Sequence, residues 1–152
     1  MWIATRVTPQ DDWENPVQLG PAVNSPAAAR PRSVLASSPY PWAGGMALFF
    51  DCVRAGGCGG VDLWVTMRTA ASDGWDQAVN LGPAVNSLYN DVGASMSADS
   101  STLYFCSDRP NENGGWDLWE VRIGPPSDAR DDEANESTNT HLVMDSPGID
   151  GQ

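Results

Sequence analysis

Leu19-Gly-Pro-Ala-Val-Asn-Ser25 returns unchanged as Leu81-Gly-Pro-Ala-Val-Asn-Ser87, at an offset of 62 residues. A repeat this long inside a glycine- and proline-rich chain restricts the fold to stacked copies of one small unit. Trp13 answers Trp75 at the same offset, so each copy contains Trp-x-x-x-Val-x-Leu-Gly, and Trp2-Ile-Ala-Thr-Arg6 answers Trp64-Val-Thr-Met-Arg68. Further on the offset shortens to 55. There Leu48-Phe-Phe-Asp-Cys-Val-Arg54 aligns with Leu103-Tyr-Phe-Cys-Ser-Asp-Arg109, and Gly59-Gly-Val-Asp-Leu-Trp64 with Gly114-Gly-Trp-Asp-Leu-Trp119. The first copy carries about seven additional residues between Ser25 and Ala47, a stretch broken by four prolines.

Within a unit, short aromatic and β-branched runs are separated by Gly, Pro, Asn, Asp and Ser clusters, which predicts strands joined by tight turns. Strands are expected near 92–97, 103–106 and 117–123, with 79–81 closing the preceding unit. Ala98-Asp-Ser-Ser-Thr102 is expected as a turn, since Asp and Ser bond their own backbone. No window shows a 3.6-residue apolar period, so helix is expected to be minor or absent. The face Leu63, Val65, Met67 has Leu118, Glu120, Arg122 as its counterpart. That contrast suits either a solvent-facing end unit or the ordinary polarity of outer positions.

Ser97-Ala-Asp-Ser-Ser-Thr-Leu-Tyr-Phe-Cys-Ser-Asp-Arg-Pro110, followed by Gly114-Gly-Trp-Asp-Leu-Trp119, resembles the WD40-like (PD40) β-propeller repeat of TolB-like bacterial proteins. The resemblance covers roughly residues 1–123 and is most specific in the second copy. In the first copy the Ser-x-Asp-Gly turn is unrecognisable between Ser33 and Met46, which leaves that unit's innermost strand unassigned. The resemblance implies an all-β fold of two four-stranded antiparallel propeller repeats, an incomplete propeller. Blade units at about 26–87 and 88–123, a partial blade at 1–25 and a tail at 125–152 are the expected divisions.

Propellers use about four to eight blades. Two repeats are therefore expected to be a fragment of a longer propeller, to associate, or to persist as a small sandwich. The Pro16–Leu19 segment is expected as a spare outer strand. It would complete the last unit within one chain or in a head-to-tail homo-oligomer formed by strand exchange, which must satisfy ring geometry.

The net charge is −12 and every basic residue is Arg. From residue 124 onward seven acidic residues face Arg130 alone, in a segment without aromatics. Such composition buries too little apolar surface to order itself, so a disordered acidic C-terminal tail is expected. A pI near 4.1 disfavours nucleic acid and anionic membrane surfaces as partners. No apolar run reaches membrane-spanning length, so no membrane insertion is expected.

Cys52 and Cys58 flank a five-residue loop, and a disulfide between them would contribute about 2 kcal/mol by loop entropy and suit an oxidising compartment. The alternative is three free thiols, which the odd count permits. A periplasmic or extracellular location is the corresponding expectation.

Asp108, Asn111, Asn113 and Asp117 place oxygens at alternating positions in one loop, as calcium takes them. The same residue types beside Gly are also ordinary turn formers. Asp62 and Asp117, each before Leu-Trp, are expected to accept hydrogen bonds from their Gly-rich loops. The repeated Arg54 and Arg109 are expected to pair with those carboxylates or an adjacent unit. The sharper reading puts Asp108 and Arg109 on a ligand-binding surface, with Trp116 and Trp42 as stacking residues. Trp2, Trp64 and Trp119 are expected between units as core, and Trp13 and Trp75 as structural.

Catalytic parts are missing from the sequence. The single His141 lies in the tail, there is no Lys, and no Gly-x-Ser-x-Gly elbow occurs. Ser97-Ala-Asp99 is superficially similar to a sialidase aspartate box but lacks its Gly and Trp. The expected function is a non-catalytic module that binds or scaffolds a protein or small ligand, without a cofactor. The alternatives are the non-catalytic propeller part of a larger peptidase or glycosidase, and a degenerate remnant.

Overall fold

The computed structural model describes residues 1–24, 45–112 and 114–123, together with the backbone of 34–37. The expected acidic tail, Trp42, Asn113 and His141 lie outside the described residues. What is described is all β, with nine strands in three antiparallel sheets and no helix.

β1 (Trp2–Ile3) and β2 (Val17–Gln18) form a two-stranded sheet. β3 (Val34–Ser37), β4 (Met46–Cys52), β5 (Asp62–Arg68) and β6 (Val79–Asn80) follow one another in a four-stranded sheet. β7 (Asp91–Met96), β8 (Thr102–Ser107) and β9 (Asp117–Arg122) make a three-stranded sheet. The strand unassigned in the first copy is thus β3, paired with β4 from Val34 opposite Phe50 to Ser37 opposite Ala47.

The offset of 62 is reproduced in backbone geometry. Trp2 pairs with Gln18 and Ile3 with Val17, as Trp64 pairs with Asn80 and Val65 with Val79. The strand expected as spare at Pro16–Leu19 is therefore paired: β2 lies against β1 of its own chain, because Trp2 and Ile3 repeat the edge that Trp64 and Val65 offer β6. The heptapeptide closes the same turn twice. Val23 N and Asn24 N donate to Gly20 O at 3.1 and 2.9 Å, and Val85 N and Asn86 N to Gly82 O at 3.1 and 2.8 Å.

The sheets are layered with the four-stranded one in the middle. One of its faces carries Leu48, Phe50, Cys52 and Trp64 and is covered by Val23, Met1 and Leu19 from the two-stranded unit. Its other face carries Ala47, Phe49, Leu63 and Val65, with Leu81 and Val85 beside them, and packs on Leu103, Phe105, Val121 and Ile123 of the three-stranded sheet. Phe49, Phe50, Leu63 and Leu103 are fully buried, each contributing about 1.5–3 kcal/mol relative to exposure. Each unit thus turns the same face toward the unit before it, since Leu48, Phe50 and Trp64 are the counterparts of Leu103, Phe105 and Trp119.

The strand patterns follow from this layering. β5 is buried on both faces through Val65 and then Thr66, whereas β9 alternates, with Leu118, Glu120 and Arg122 exposed. The polar substitutions on β9 therefore sit on a face that no described residue covers. Trp2 departs from its expected place between units. It is 64% exposed against 5% for Trp64, because no described sheet precedes β1. Trp13 is likewise exposed, with Arg6 over its ring at 4.4 Å, while its counterpart Trp75 packs on the core under Arg68 at 4.5 Å.

Candidate functional site

At one end of the central and three-stranded sheets, the β4–β5 loop, the linker after the second heptapeptide and the β8–β9 loop meet in a seam of buried polar groups. Ser87 follows the heptapeptide turn and Asp91 begins β7, so the Asp91 carboxylate faces back along the linker. Its Oδ2 accepts from Ser87 N at 2.5 Å and Ser87 Oγ at 2.9 Å, while Arg109 Nη2 donates to Oδ1 at 2.6 Å. Asp91 is fully buried and the Arg109 side chain 20% exposed. Arg109 Nη2 also donates to Val85 O at 2.6 Å, and the guanidinium lies 4.5 Å over the Trp119 ring. Arg109 therefore ties β8 to the heptapeptide of the preceding unit. Arg54 does the same one unit earlier: its Nη2 donates to Val23 O at 2.7 Å and its guanidinium lies 5.0 Å over Trp64. Of the two partners expected for these arginines, the adjacent unit is the one found for both, and the carboxylate that Arg109 takes is Asp91.

Asp108 turns to the linker. Asn90 N and Nδ2 donate to its two carboxylate oxygens at 2.7 and 2.8 Å, and these bonds hold its carboxyl below the usual carboxylate range. Asn90 Oδ1 in turn accepts from Val61 N at 3.1 Å, and Asp91 N donates to Val61 O at 2.7 Å. Asp51, buried on β4, accepts from Gly93 N at 3.0 Å. The linker is thus stitched to both neighbouring loops and to β4.

Asp62 accepts from Cys58 N at 2.7 Å, as expected of a carboxylate at the end of a Gly-rich loop, and from Asn80 Nδ2 at 3.4 Å. Its other oxygen is buried without a hydrogen-bond partner. Burial pushes its carboxyl above the ordinary range, against the lowering effect of the Cys58, Gly59 and Asn80 bonds. The loop lies so close to the linker that a Cβ on Gly59 would sit 2.3 Å from Ser87 O. Glycine is therefore required there.

The structure bears on three further expectations. The cysteines are free thiols. Cys52 ends β4 with its side chain in the Phe50–Trp64 cluster, whereas Cys58 Sγ donates to Asn80 Oδ1 at 3.6 Å, so the two are not a disulfide. Burial raises the pKa of both thiols.

Three of the four residues expected as calcium ligands are described. Asp108 is held by Asn90, Asn111 Oδ1 accepts from Gly114 N at 2.6 Å, and Asp117 stands at the start of β9 opposite Ser107. Among the described residues no group of three or more His, Cys, Asp or Glu side chains converges to hold a metal.

Asp108 and Arg109, expected on a ligand surface, are half-buried and each bonded to protein groups. Trp116, 55% exposed, is the described member of that set left open to solvent.

Sequence reasoning missed Asp51, Asn80, Asn86, Asn90 and Asp91. Asn86 had a usable signal, because the invariant Asn of the heptapeptide performs one task in both copies. Leu63 N donates to Asn86 Oδ1 at 2.8 Å and Asn86 Nδ2 to Leu63 O at 2.9 Å. Asn24 grips Met1 in the same manner, accepting from its N and donating Nδ2 to its O at 2.9 Å. Chemically the seam is a set of clamps: apart from one Asp62 oxygen, its buried carboxylates are matched to backbone N–H groups, amides and one guanidinium, as buried polar groups require. No family model, curated protein or solved structure matches the chain.

Proposed function

We propose that this chain is a non-catalytic binding or scaffolding module whose sheets are blades of a TolB-like β-propeller, working in a bacterial envelope or secreted setting. On this reading the two-stranded, four-stranded and three-stranded sheets are one partial blade, one whole blade and one blade with no described outer strand. The observation that carries it is the use made of the polar seam. Asp91, Arg109, Asp108 and Asn90 are all engaged in joining successive units, while Trp116 and Leu118 on the last sheet stand in solvent. Chemistry needs a polar group poised for a reacting atom; these are spent on structure.

The test is turnover. The purified full chain is offered a panel of chromogenic peptidase and glycosidase substrates, and no hydrolysis above the blank is expected. Hydrolysis that persists through repurification and is lost in Asp62→Asn or Asp91→Asn would overturn the non-catalytic reading.

A further inference from the structure

The outer edge of β9 is a third instance of a position that the chain fills twice. Met1, Leu63 and Leu118 are counterparts at offsets of 62 and 55. At Leu63 the backbone is gripped by Asn86 on both sides, and its O also accepts from Leu81 N at 3.2 Å. Met1 is held by Asn24 and Leu19 in the same arrangement. Leu118 pairs with Cys106 on its inner side, and among the described residues no strand and no Asn meets its outward N–H and C=O. β6 covers Trp64 and Val65 of β5, and β2 covers Trp2 and Ile3 of β1; no described strand covers Trp119 and Glu120 of β9.

Two further observations mark the same vacancy. Ser87 and Leu88 press on Gly59, whereas a Cβ on its counterpart Gly114 would meet nothing within 4 Å. Asp62 receives Asn80 Nδ2 from β6, whereas Asp117 has a buried oxygen, Oδ2, without a partner.

The missing piece is defined by what fills the other two positions: Trp-x-x-x-Val-(Asn/Gln)-Leu-Gly-Pro-Ala-Val-Asn. The sequence carries that pattern at 13–24 and at 75–86. The second copy is fixed in the core, with Leu81, Val85 and Asn86 buried. The first is held by a two-residue ladder with Trp13 and Val17 exposed, and so small a two-stranded pairing is marginal by itself.

We propose that the outer edge of β9 binds the Trp13–Asn24 segment of a second copy of this chain as an added antiparallel strand, with Asn24 gripping the Leu118 backbone. An open sheet edge is a template for such addition, main-chain bonds giving affinity and side chains specificity. Gln18 of the incoming segment stands where Asn80 stands in the central sheet, opposite the orphaned Asp117 oxygen. Each copy has one such segment and one such edge, so association is head to tail. The proposal deepens the binding-module reading and rests on it in naming the partner.

The experiment titrates a fluorescent peptide of residues 13–24 into the full chain and follows anisotropy, beside sedimentation of the chain alone. Saturable binding is expected, weakened about tenfold or more in an N24A peptide, since two hydrogen bonds to buried backbone are lost. Glu120→Pro removes an outward N–H at an edge where proline is tolerated, and it is expected to abolish binding with the far-ultraviolet spectrum unchanged. The N24A peptide keeps the test independent of whether that variant folds. Sedimentation is expected to show concentration-dependent association that excess peptide reverses. Equal binding of the wild-type and N24A peptides, no peptide binding, or a chain monomeric at every concentration would overturn the proposal. Such a failure leaves the binding-module reading standing, because that reading falls only on turnover.

Discussion

Arg109 and Asp91 form an ion pair of 2.6 Å at one end of the three-stranded sheet, with the carboxylate fully buried and the guanidinium stacked on Trp119. Arg109→Ala strands the Asp91 charge, and breaking a pair of this kind costs about 3 kcal/mol. Arg109→Lys is expected to recover less than half of that loss, because an ammonium cannot both stack on the ring and donate to Asp91 and Val85 in a fixed fork. Urea unfolding of the two variants measures both values.

Asn86→Ala removes both bonds to the Leu63 backbone inside the core. The expected loss is about 2–3 kcal/mol, since two buried main-chain groups are left without partners. Asn24→Ala removes the equivalent bonds at Met1, where the site is only partly buried, and is expected to cost less than half as much in the same assay.

Leu63 and Leu118 are counterparts with opposite surroundings, fully buried and 72% exposed. Leu63→Glu is expected to abolish cooperative unfolding, because an unpaired charge would enter the Phe49–Leu103 layer. Leu118→Glu is expected to shift stability by no more than about 0.5 kcal/mol. Circular dichroism melts of the two variants provide the comparison.

Burial raises the Asp62 pKa above its ordinary 3.8, so the folded chain holds that proton more tightly than the unfolded one. The associated stability is present below about pH 3.8 and is lost as pH rises through the folded value. Asp62→Asn keeps an acceptor for Cys58 N and removes the buried charge. It is expected to be as stable as the parent or more so at pH 7 and to gain nothing at pH 3, measured by unfolding at both values.

Asp99 accepts from Ser97 Oγ at 2.5 Å and from Ser101 N and Oγ at 3.1 and 2.8 Å, and these bonds lower its pKa to about 2. Asp108 is lowered by Asn90. Contributions from lowered carboxylates are complete above the unfolded value and are lost as pH falls through the folded one. Carboxyl carbon shifts followed by NMR are expected to show Asp99 and Asp108 titrating below the ordinary carboxylate range. A normal midpoint for Asp99 would mean that its turn is open in solution.

Part of the strand pattern was legible in the sequence. The alternation in 117–123 and the turn at 98–102 follow from period-two patterning and from Asp and Ser chemistry, whereas the contrast between Leu63-Val65-Met67 and Leu118-Glu120-Arg122 suited two readings until the burial of Leu63 and the exposure of Leu118 separated them. The candidate site was far less legible. Asp91 belongs to no repeated motif, so nothing in the sequence connects it with Arg109, eighteen residues away. The loop oxygens of Asp108 and Asn111 were suited to a cation by type and spacing. Asp108 meets Asn90 from the linker, which only the approach of separate segments supplies, and Asn111 accepts from the nearby Gly114 N–H.

The heptapeptide by itself determined that the chain is modular, because seven identities and the flanking tryptophans demand the same local turn twice. Local hydrogen bonds suffice for that, as the Gly20 and Gly82 turns show. Tertiary structure decided what each copy does: which residues grip the neighbouring unit, which of two equivalent leucines is buried, and that β2 is already paired while no described strand meets the outer edge of β9. Those outcomes depend on which sheet lies against which, a relation between distant segments that local sequence does not encode.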